Sequence, residues 1–372
     1  MMFENLKQQG NCLSFDINEM DVCVVNGIRR IIFAELPSIA ISFDPNSGKN
    51  HDVKVTKNTG SLHNEFLCHR LSLVPIHFNA DEVENFQPEK YKFVLKMKNE
   101  SDSMMDVTTQ HIEVYDEVGN KYGNNLRDRL FPPNTVTGDY ILLTKLKPNL
   151  FNNEAGDEID IEACASKNIG SSHIRWTPVS KCCYHNNIDE KESKMALDKH
   201  IKENANSDLT VDELAKRFNL LDAFRYFKKN KYGEPCSFKF EIETECNLTC
   251  KYIFKKAIEI LSEKVRNFSD NVSTLNGVKI TQQGMMYYIT VSNENHTLGN
   301  LIQAIFYNEF VRGEDKSVSY IGYYQPHPLE SDIVFKIKTD SNINTIVTRG
   351  CQRIIDYLTN VTAEWDKFVS GS

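Results

Sequence analysis

Apolar and polar residues alternate with a period of two across Ser237–Glu243, which puts Phe238, Phe240 and Ile242 on one face. Asp332–Lys338 reads as a second strand of the same kind. Period two is the mark of a strand with one buried side. Each strand leads into a helical pattern. The first helix is predicted over Asn247–Phe268, with Ile253, Ala257, Ile260, Leu261, Val265 and Phe268 on one stripe. The second is predicted from Ile343 to about Trp365, with Ile346, Val347, Gly350, Ile354, Leu358 and Val361 inward. The likeness extends to residue types, because Phe240, Ile242, Thr244 and Asn247 recur at a constant offset as Phe335, Ile337, Thr339 and Asn342. A lone amphipathic helix is marginal in water, so a unit written twice predicts that the copies cover each other's apolar faces. The expectation is a dimer folded inside one polypeptide.

Before the first repeat, Asp21–Glu35 has helical spacing through Val22, Val25, Ile28, Ile31 and Ile32, and Pro37 stops it. Its polar face carries Arg29 and Arg30. A second helix is predicted over Asn64–Val74, with Phe66, Leu67, Leu71 and Val74 apolar and Pro75 at its end. From Tyr91 to Ala165 the pattern changes to short strands punctuated by turns such as Asp116–Gly119, Gly138–Asp139 and Pro148–Asn149. A charged stretch begins at His185, and helical spacing resumes at Val211, Leu214, Phe218, Leu221 and Phe224. Gly277 and Gly284 flank a predicted hairpin, and Thr297–Arg312 is a predicted helix, with Leu298, Leu301, Ile302, Ile305 and Phe306 buried, closed by Gly313. The expected fold is α+β, with two dimerisation units of antiparallel strands and long helices. The first unit is expected at 1–43 and 227–270, a β-rich insert at 44–184, a charged connector at 185–226, and the second unit at 271–372. Internal pairing is assigned to Ile28, Ile32, Ile260, Leu301, Ile305, Ile354 and Leu358.

Composition narrows the function. A chain of 372 residues that is 40% hydrophobic is long enough for several cores, and no apolar run approaches a bilayer span. The N-terminal residues carry no secretory pattern, so a reducing compartment is expected, with the ten cysteines as thiols. A net charge of −8 disfavours general nucleic-acid binding, and the Lys228, Lys229, Lys231 cluster is given no role. No phosphate loop, serine-nucleophile elbow, zinc-protease helix or aspartate cluster appears, so no catalytic residues are expected. No metal and no cofactor are expected, since adjacent Cys182 and Cys183 cannot easily supply two well-separated ligands and Cys246 with Cys250, one helical turn apart, has no obvious second pair.

Asn26, Gly27, Ile28, Arg29, Arg30 leading to Ala34, Glu35, Leu36, Pro37 resembles the signature of the α-like subunits of multisubunit RNA polymerases. Asn64 to Pro75, through His69, Arg70 and Leu71, is similar to the matching element of the third-largest eukaryotic subunit and its archaeal D counterpart. Glu294 to Leu301, with Gly322, Tyr323 and Pro326 to Glu330, resembles the small α-like subunit, the eleventh eukaryotic or archaeal L subunit. The two parts occur in order in one chain, an arrangement similar to that of polymerases of large nucleocytoplasmic DNA viruses. The zinc loop of many third-subunit relatives is not matched, because His77–Tyr91 holds no cysteine.

The resemblance implies a non-catalytic assembly platform for DNA-directed RNA polymerase. Its implied partners are the second-largest and largest subunits and the small subunits that complete the platform. DNA is met only through the complex, and neither a membrane nor a second copy of the chain is a partner. Docking of the second-largest subunit is assigned to Arg29, Arg30, Glu35, His69 and Arg70, with a solvated helix face as the alternative for the arginines. The implied location is virion and host cytoplasm for a viral source, or otherwise the nucleus. A stand-alone protein-interaction module and a direct nucleic-acid binder remain as other classes.

Overall fold

The computed structural model describes residues 2–43, 52–148, 156–204 and 209–371. The predicted turn at Asn149 lies outside them, as do the first residues of the expected insert and residues 205–208 of the connector. In chain order the elements begin with strands β1 (Phe3–Gln9) and β2 (Cys12–Asn18), helix α1 (Val22–Ala34), β3 (Pro37–Ala40) and β4 (Val53–Asn58). Helices α2 (Asn64–Ser72) and α3 (Ala80–Glu84) precede β5 (Lys92–Lys98), β6 (Met105–Thr108), β7 (Glu113–Tyr115) and α4 (Asn124–Leu130). Then come β8 (Leu142–Leu146), β9 (Glu158–Cys164), β10 (Ser166–Ile169), β11 (Val179–Asn186), α5 (Glu190–Glu203) and α6 (Val211–Leu221). The first repeat is β12 (Ser237–Thr244) with α7 (Cys250–Thr274), followed by β13 (Val278–Gln283) and β14 (Met286–Ser292). Helix α8 (His296–Phe306) continues as a π-turn over Tyr307–Arg312, before β15 (Val318–Tyr324), β16 (Asp332–Thr339) and α9 (Ile343–Ser370).

The chain divides into two compact units. One comprises Met1–Ile32, Lys181–Glu243 and Ile253–Ser372 and contains both repeats. It holds two antiparallel four-stranded sheets, ordered β1-β2-β12-β11 and β13-β14-β16-β15. Register places Phe240 opposite Phe15 and Phe335 opposite Ile289, so each central strand aligns large side chains on its buried face. Phe15, Ile17, Phe238, Phe240, Ile242, Phe335 and Ile337 are all buried, as alternation requires.

The other unit comprises Phe33–Ser180 and Thr244–Tyr252 and is β-rich. Its main sheet, β4-β9-β5-β7, is antiparallel, with Phe93 and Leu95 facing the buried Ile159, Ile161 and Ala163 side. Smaller two-stranded sheets pair β10 with β3 and β6 with β8. Trp176 donates its indole N–H to the Ser166 carbonyl at 3.0 Å. Buried Asn99 donates to Ser103 and Leu146 carbonyls, satisfying its amide in the interior.

The start of α7 and the burial of Phe66 differ from expectation. Helix α7 starts at Cys250 instead of Asn247, because Thr244 and Cys246 form a turn, and Thr249 Oγ1 accepts the Tyr252 N–H at 3.2 Å at the helix entrance. Gly313 closes its helix as expected, with φ −63°. Glycine is demanded there by space, as a Cβ would stand 2.4 Å from the Glu309 carbonyl oxygen. Phe66, read with the apolar face of its helix, is exposed, while Leu67, Leu71 and Val74 are buried. Among the described residues no helix is long and apolar enough to cross a membrane.

Candidate functional site

The two repeats meet by exchanging the far ends of their long helices. Trp365, late in α9, packs against Phe15 of β2, Phe254 of α7 and Phe3 of β1, with ring centroids 4.8, 4.4 and 5.2 Å apart. In the opposite sense, Phe268, late in α7, packs against Phe335 of β16 at 5.4 Å. Edge-to-face and tilted pairs of this kind add to the burial of the rings themselves. Lys255 of α7 pairs with Asp366 of α9 at 2.8 Å on the surface of the seam. A Cβ at Gly27 of α1 would sit at ordinary contact, 3.5 Å, from Leu261 of α7, whereas one at Gly350 of α9 would stand 2.3 Å from the Phe306 ring of α8. Glycine at 350 is therefore what lets that ring lie on the helix.

A polar corner closes the other end of the seam. Arg30 on α1 donates its Nε–H to Thr297 Oγ1, at the start of α8, over 2.8 Å. Asn295 caps α8 by accepting the Thr297 N–H at 2.8 Å. The Tyr323 ring of β15 covers Gly299, where a Cβ would lie 2.5 Å from it, and the Tyr323 N–H is accepted by Gln303 Oε1 at 3.0 Å. His296 Nδ1 and the Tyr323 hydroxyl lie 3.2 Å apart. Burial pushes the Tyr323 phenol above its ordinary range, opposed by the nearby Arg30 cation. Further along, Asn308 donates to Asp21 at 3.3 Å, and Arg312 pairs with Glu234 at 3.0 Å while lying over the Tyr232 ring. The guanidinium holds the Glu234 carboxyl below the usual range.

Of the residues assigned to internal pairing, Ile28, Ile32, Leu301, Ile354 and Leu358 are fully buried in this unit. Ile260 and Ile305 are half-buried, and Ile305 lines a 710 Å³ cavity with Met20, Val24 and Tyr357. Arg29 is half-buried and gives its donors to Asn26 Oδ1, while Arg30 is engaged at the polar corner. Glu35, His69 and Arg70 belong to the other unit. There His69 is exposed and Arg70 donates to the Leu143 and Leu142 carbonyls at 2.9 and 2.7 Å. The ten cysteines are free thiols, and among the described residues no group of three or more His, Cys, Asp or Glu is placed to hold a metal. Thr297, Tyr323, Phe15 and Trp365 were not singled out from sequence as pairing residues. The alternation of Leu13, Phe15 and Ile17 after Gly10 is the signal that marks Phe15.

A family described as the RNA polymerase Rpb3/Rpb11 dimerisation domain matches residues 14–265, and a second match of the same description covers 287–364. The chain belongs to this family. It is 27% identical over 305 residues to the DNA-directed RNA polymerases I and III subunit rpac1 of Dictyostelium discoideum, covering 73% of this chain and 81% of that relative. It is 25% identical over 303 residues to the DNA-directed RNA polymerases IV and V subunit 3B of Arabidopsis thaliana, covering 69% and 87%. With the DNA-directed RNA polymerase subunit Rpo3 of Pyrococcus horikoshii it shares 22% over 286 residues, covering 73% and 98%. The Arg30–Thr297 bond joins the two Rpb3/Rpb11 dimerisation-domain matches, since Arg30 lies in the first and Thr297 in the second.

Proposed function

We propose that this chain is a non-catalytic assembly subunit of a multisubunit DNA-directed RNA polymerase, with its two dimerisation units paired intramolecularly. The observation that carries the reading is the contact between the two matched regions, in which Arg30 of the first bonds Thr297 of the second, while Phe268 and Trp365, just beyond the matches, pack on β16 and β2. In this reading a pairing made elsewhere between separate subunits is fused into one chain. Fusion makes the encounter intramolecular, with an effective concentration of roughly millimolar for a short flexible link. The resemblance of this fused order to polymerases of large nucleocytoplasmic DNA viruses supports a viral source, with virion and host cytoplasm as its location.

Docking of the second-largest subunit is proposed through Arg29, Arg30, Glu35, His69 and Arg70, supported by the signature residues around them. Because Arg30 also bonds Thr297, Arg29→Glu is the cleaner probe of docking. It is expected to weaken assembly while leaving the melting midpoint of the chain unchanged, and unchanged assembly would remove Arg29 from the docking face. The whole reading is tested by native mass spectrometry of the chain affinity-purified from its own source. One copy held with two very large subunits is expected. A free chain or a homodimer would favour a stand-alone interaction module.

A further inference from the structure

The apolar stripe of helix α6 is longer than the packing among the described residues covers. Its spacing runs through Val211, Leu214, Phe218, Leu221 and Phe224, the signature of one buried face. Only the middle of the stripe is buried. Leu214 is buried, and Phe218 stacks near His200 and Tyr226 with centroids 5.7 and 5.8 Å away. Leu221 and Phe224 are each 61% exposed, and Leu220 beside them is 74% exposed. These three residues are neighbours at the end of the helix and in the turn after it, so they form one patch. Contiguous exposed apolar surface marks an interaction site where scattered single residues do not.

The surroundings give the patch shape and sign. Phe224 stands as a ridge between two clefts of about 480 and 430 Å³ that share His185 and Asn186. Lys216 and Arg217 lie one turn before the two leucines, and Lys228 lies one turn beyond Phe224 and lines the smaller cleft. All three cations are exposed, and none makes an ion pair among the described residues. Their neighbours differ, since Arg225 pairs with Asp222 at 3.2 Å and Lys229 with Glu192 at 2.9 Å.

We infer that this face docks an acidic amphipathic helix of a partner protein. Apolar residues at three- and four-residue spacing on that helix cover Leu220, Leu221 and Phe224, and its flanking Asp and Glu meet Lys216 and Arg217, away from the Asp16 and Glu190 that share the cleft of Lys228. Nucleic acid fits less well. Base stacking needs aromatic platforms, and among Leu220, Leu221 and Phe224 one residue carries a ring. A second copy of the chain is disfavoured as well, because a symmetric contact would set identical basic rims against each other. The inference goes beyond the assembly role and does not depend on it.

The test is photocrosslinking of the full chain in its own source. Photoreactive benzoylphenylalanine is introduced at Phe224, and separately at Leu220, in the full chain expressed in its own source, and crosslinked peptides are sequenced by mass spectrometry. Both sites are exposed, and a melting midpoint equal to the parent's checks the fold. The expected product is a crosslink to a segment of another protein with more Asp and Glu than Lys and Arg and with apolar residues three and four apart. Lys216→Glu with Arg217→Glu is expected to lower its yield about fivefold, the scale of two exposed ion pairs. Crosslinks confined to this chain, to a second copy, to nucleic acid or to a basic segment overturn the inference. So does an absence of crosslinks from both sites, or a yield that the charge reversal leaves unchanged.

Discussion

The two repeats share a strand exit and differ in how the helix beyond it is capped and packed. In the first, the Thr244 hydroxyl donates to the Pro178 carbonyl at 3.2 Å and accepts the Cys246 N–H at 3.3 Å. In the second, Thr339 donates to the Ser317 carbonyl at 2.7 Å and accepts the Ser341 N–H at 3.0 Å. The repeated threonine thus does one job twice, tying the end of a central strand to a neighbouring carbonyl while turning the chain toward its helix. The repeated asparagine does not. Asn342 caps α9, accepting from Asn344 and Thr345 at 2.9 and 3.3 Å, whereas Asn247 precedes α7 by a longer link and the entrance passes to Thr249. The helix ends differ too. Trp365 enters a cluster of rings on the first sheet, while Phe268 meets fewer rings on the second. Duplication kept the turn that orients each helix and let the packing at its far end diverge.

The sharpest way to break this comparison is to truncate the two exchanged rings. Trp365→Ala is expected to cost about 3–5 kcal/mol in urea unfolding, and Phe268→Ala less within the large-to-small range. Equal costs would mean that the richer ring cluster adds nothing. The two close-packed glycines come next. Gly350→Ala drives a methyl into the Phe306 ring and is expected to destabilise by about 1–3 kcal/mol. Gly27→Ala meets Leu261 at ordinary distance and, gaining helix propensity, is expected to be neutral or to stabilise by up to about 1 kcal/mol.

Titration separates the repeats further. Burial, with Cys23 and Asp21 nearby, raises the Tyr357 phenol far above its ordinary value, and Ser262 stands at the matching position of α7. The unfolded phenol ionises near pH 10 while the folded one stays protonated, so its contribution is present below about pH 10 and is lost above it, by at most about 1.4 kcal/mol per pH unit. Tyr357→Phe is expected to flatten that alkaline slope in denaturation curves. Smallest are the strand exits. Thr339→Val is expected to cost about 1 kcal/mol and Thr244→Val less, following their bond lengths. The reverse order would contradict the reading of the turn.

Much of this fold was legible because its long elements keep a strict period. β12, β16 and α1 lie within a residue of their predicted bounds, α9 starts at the predicted Ile343 but runs on past Trp365 to Ser370, and the inward positions Ile346, Val347, Ile354, Leu358 and Val361 are all buried. The N-terminal hairpin was not read. β1 offers one buried Phe3 among mostly exposed residues and therefore no period, although β2 alternates cleanly. The seam was only half legible. A helical stripe identifies Ile28 and Leu301 as inward, but it places Arg30 simply outside the stripe. That a threonine from a helix far along the chain lies within reach of Arg30 depends on tertiary placement, which periodicity does not encode. The helical period marks Trp365 as a helix end and nothing more, because its partners lie on β1 and β2, and β1 carries no period.

Intramolecular pairing of the repeats is tested most directly by a double-mutant cycle between Phe15 and Trp365 in the full chain, measured over a wide range of protein concentration. The expected result is a coupling of about 0.5–1.5 kcal/mol, the range for an aromatic pair, with an unfolding midpoint that does not move on dilution. Additive single mutants would place Trp365 away from the first sheet, and a midpoint that falls on dilution would mean that the repeats pair between chains.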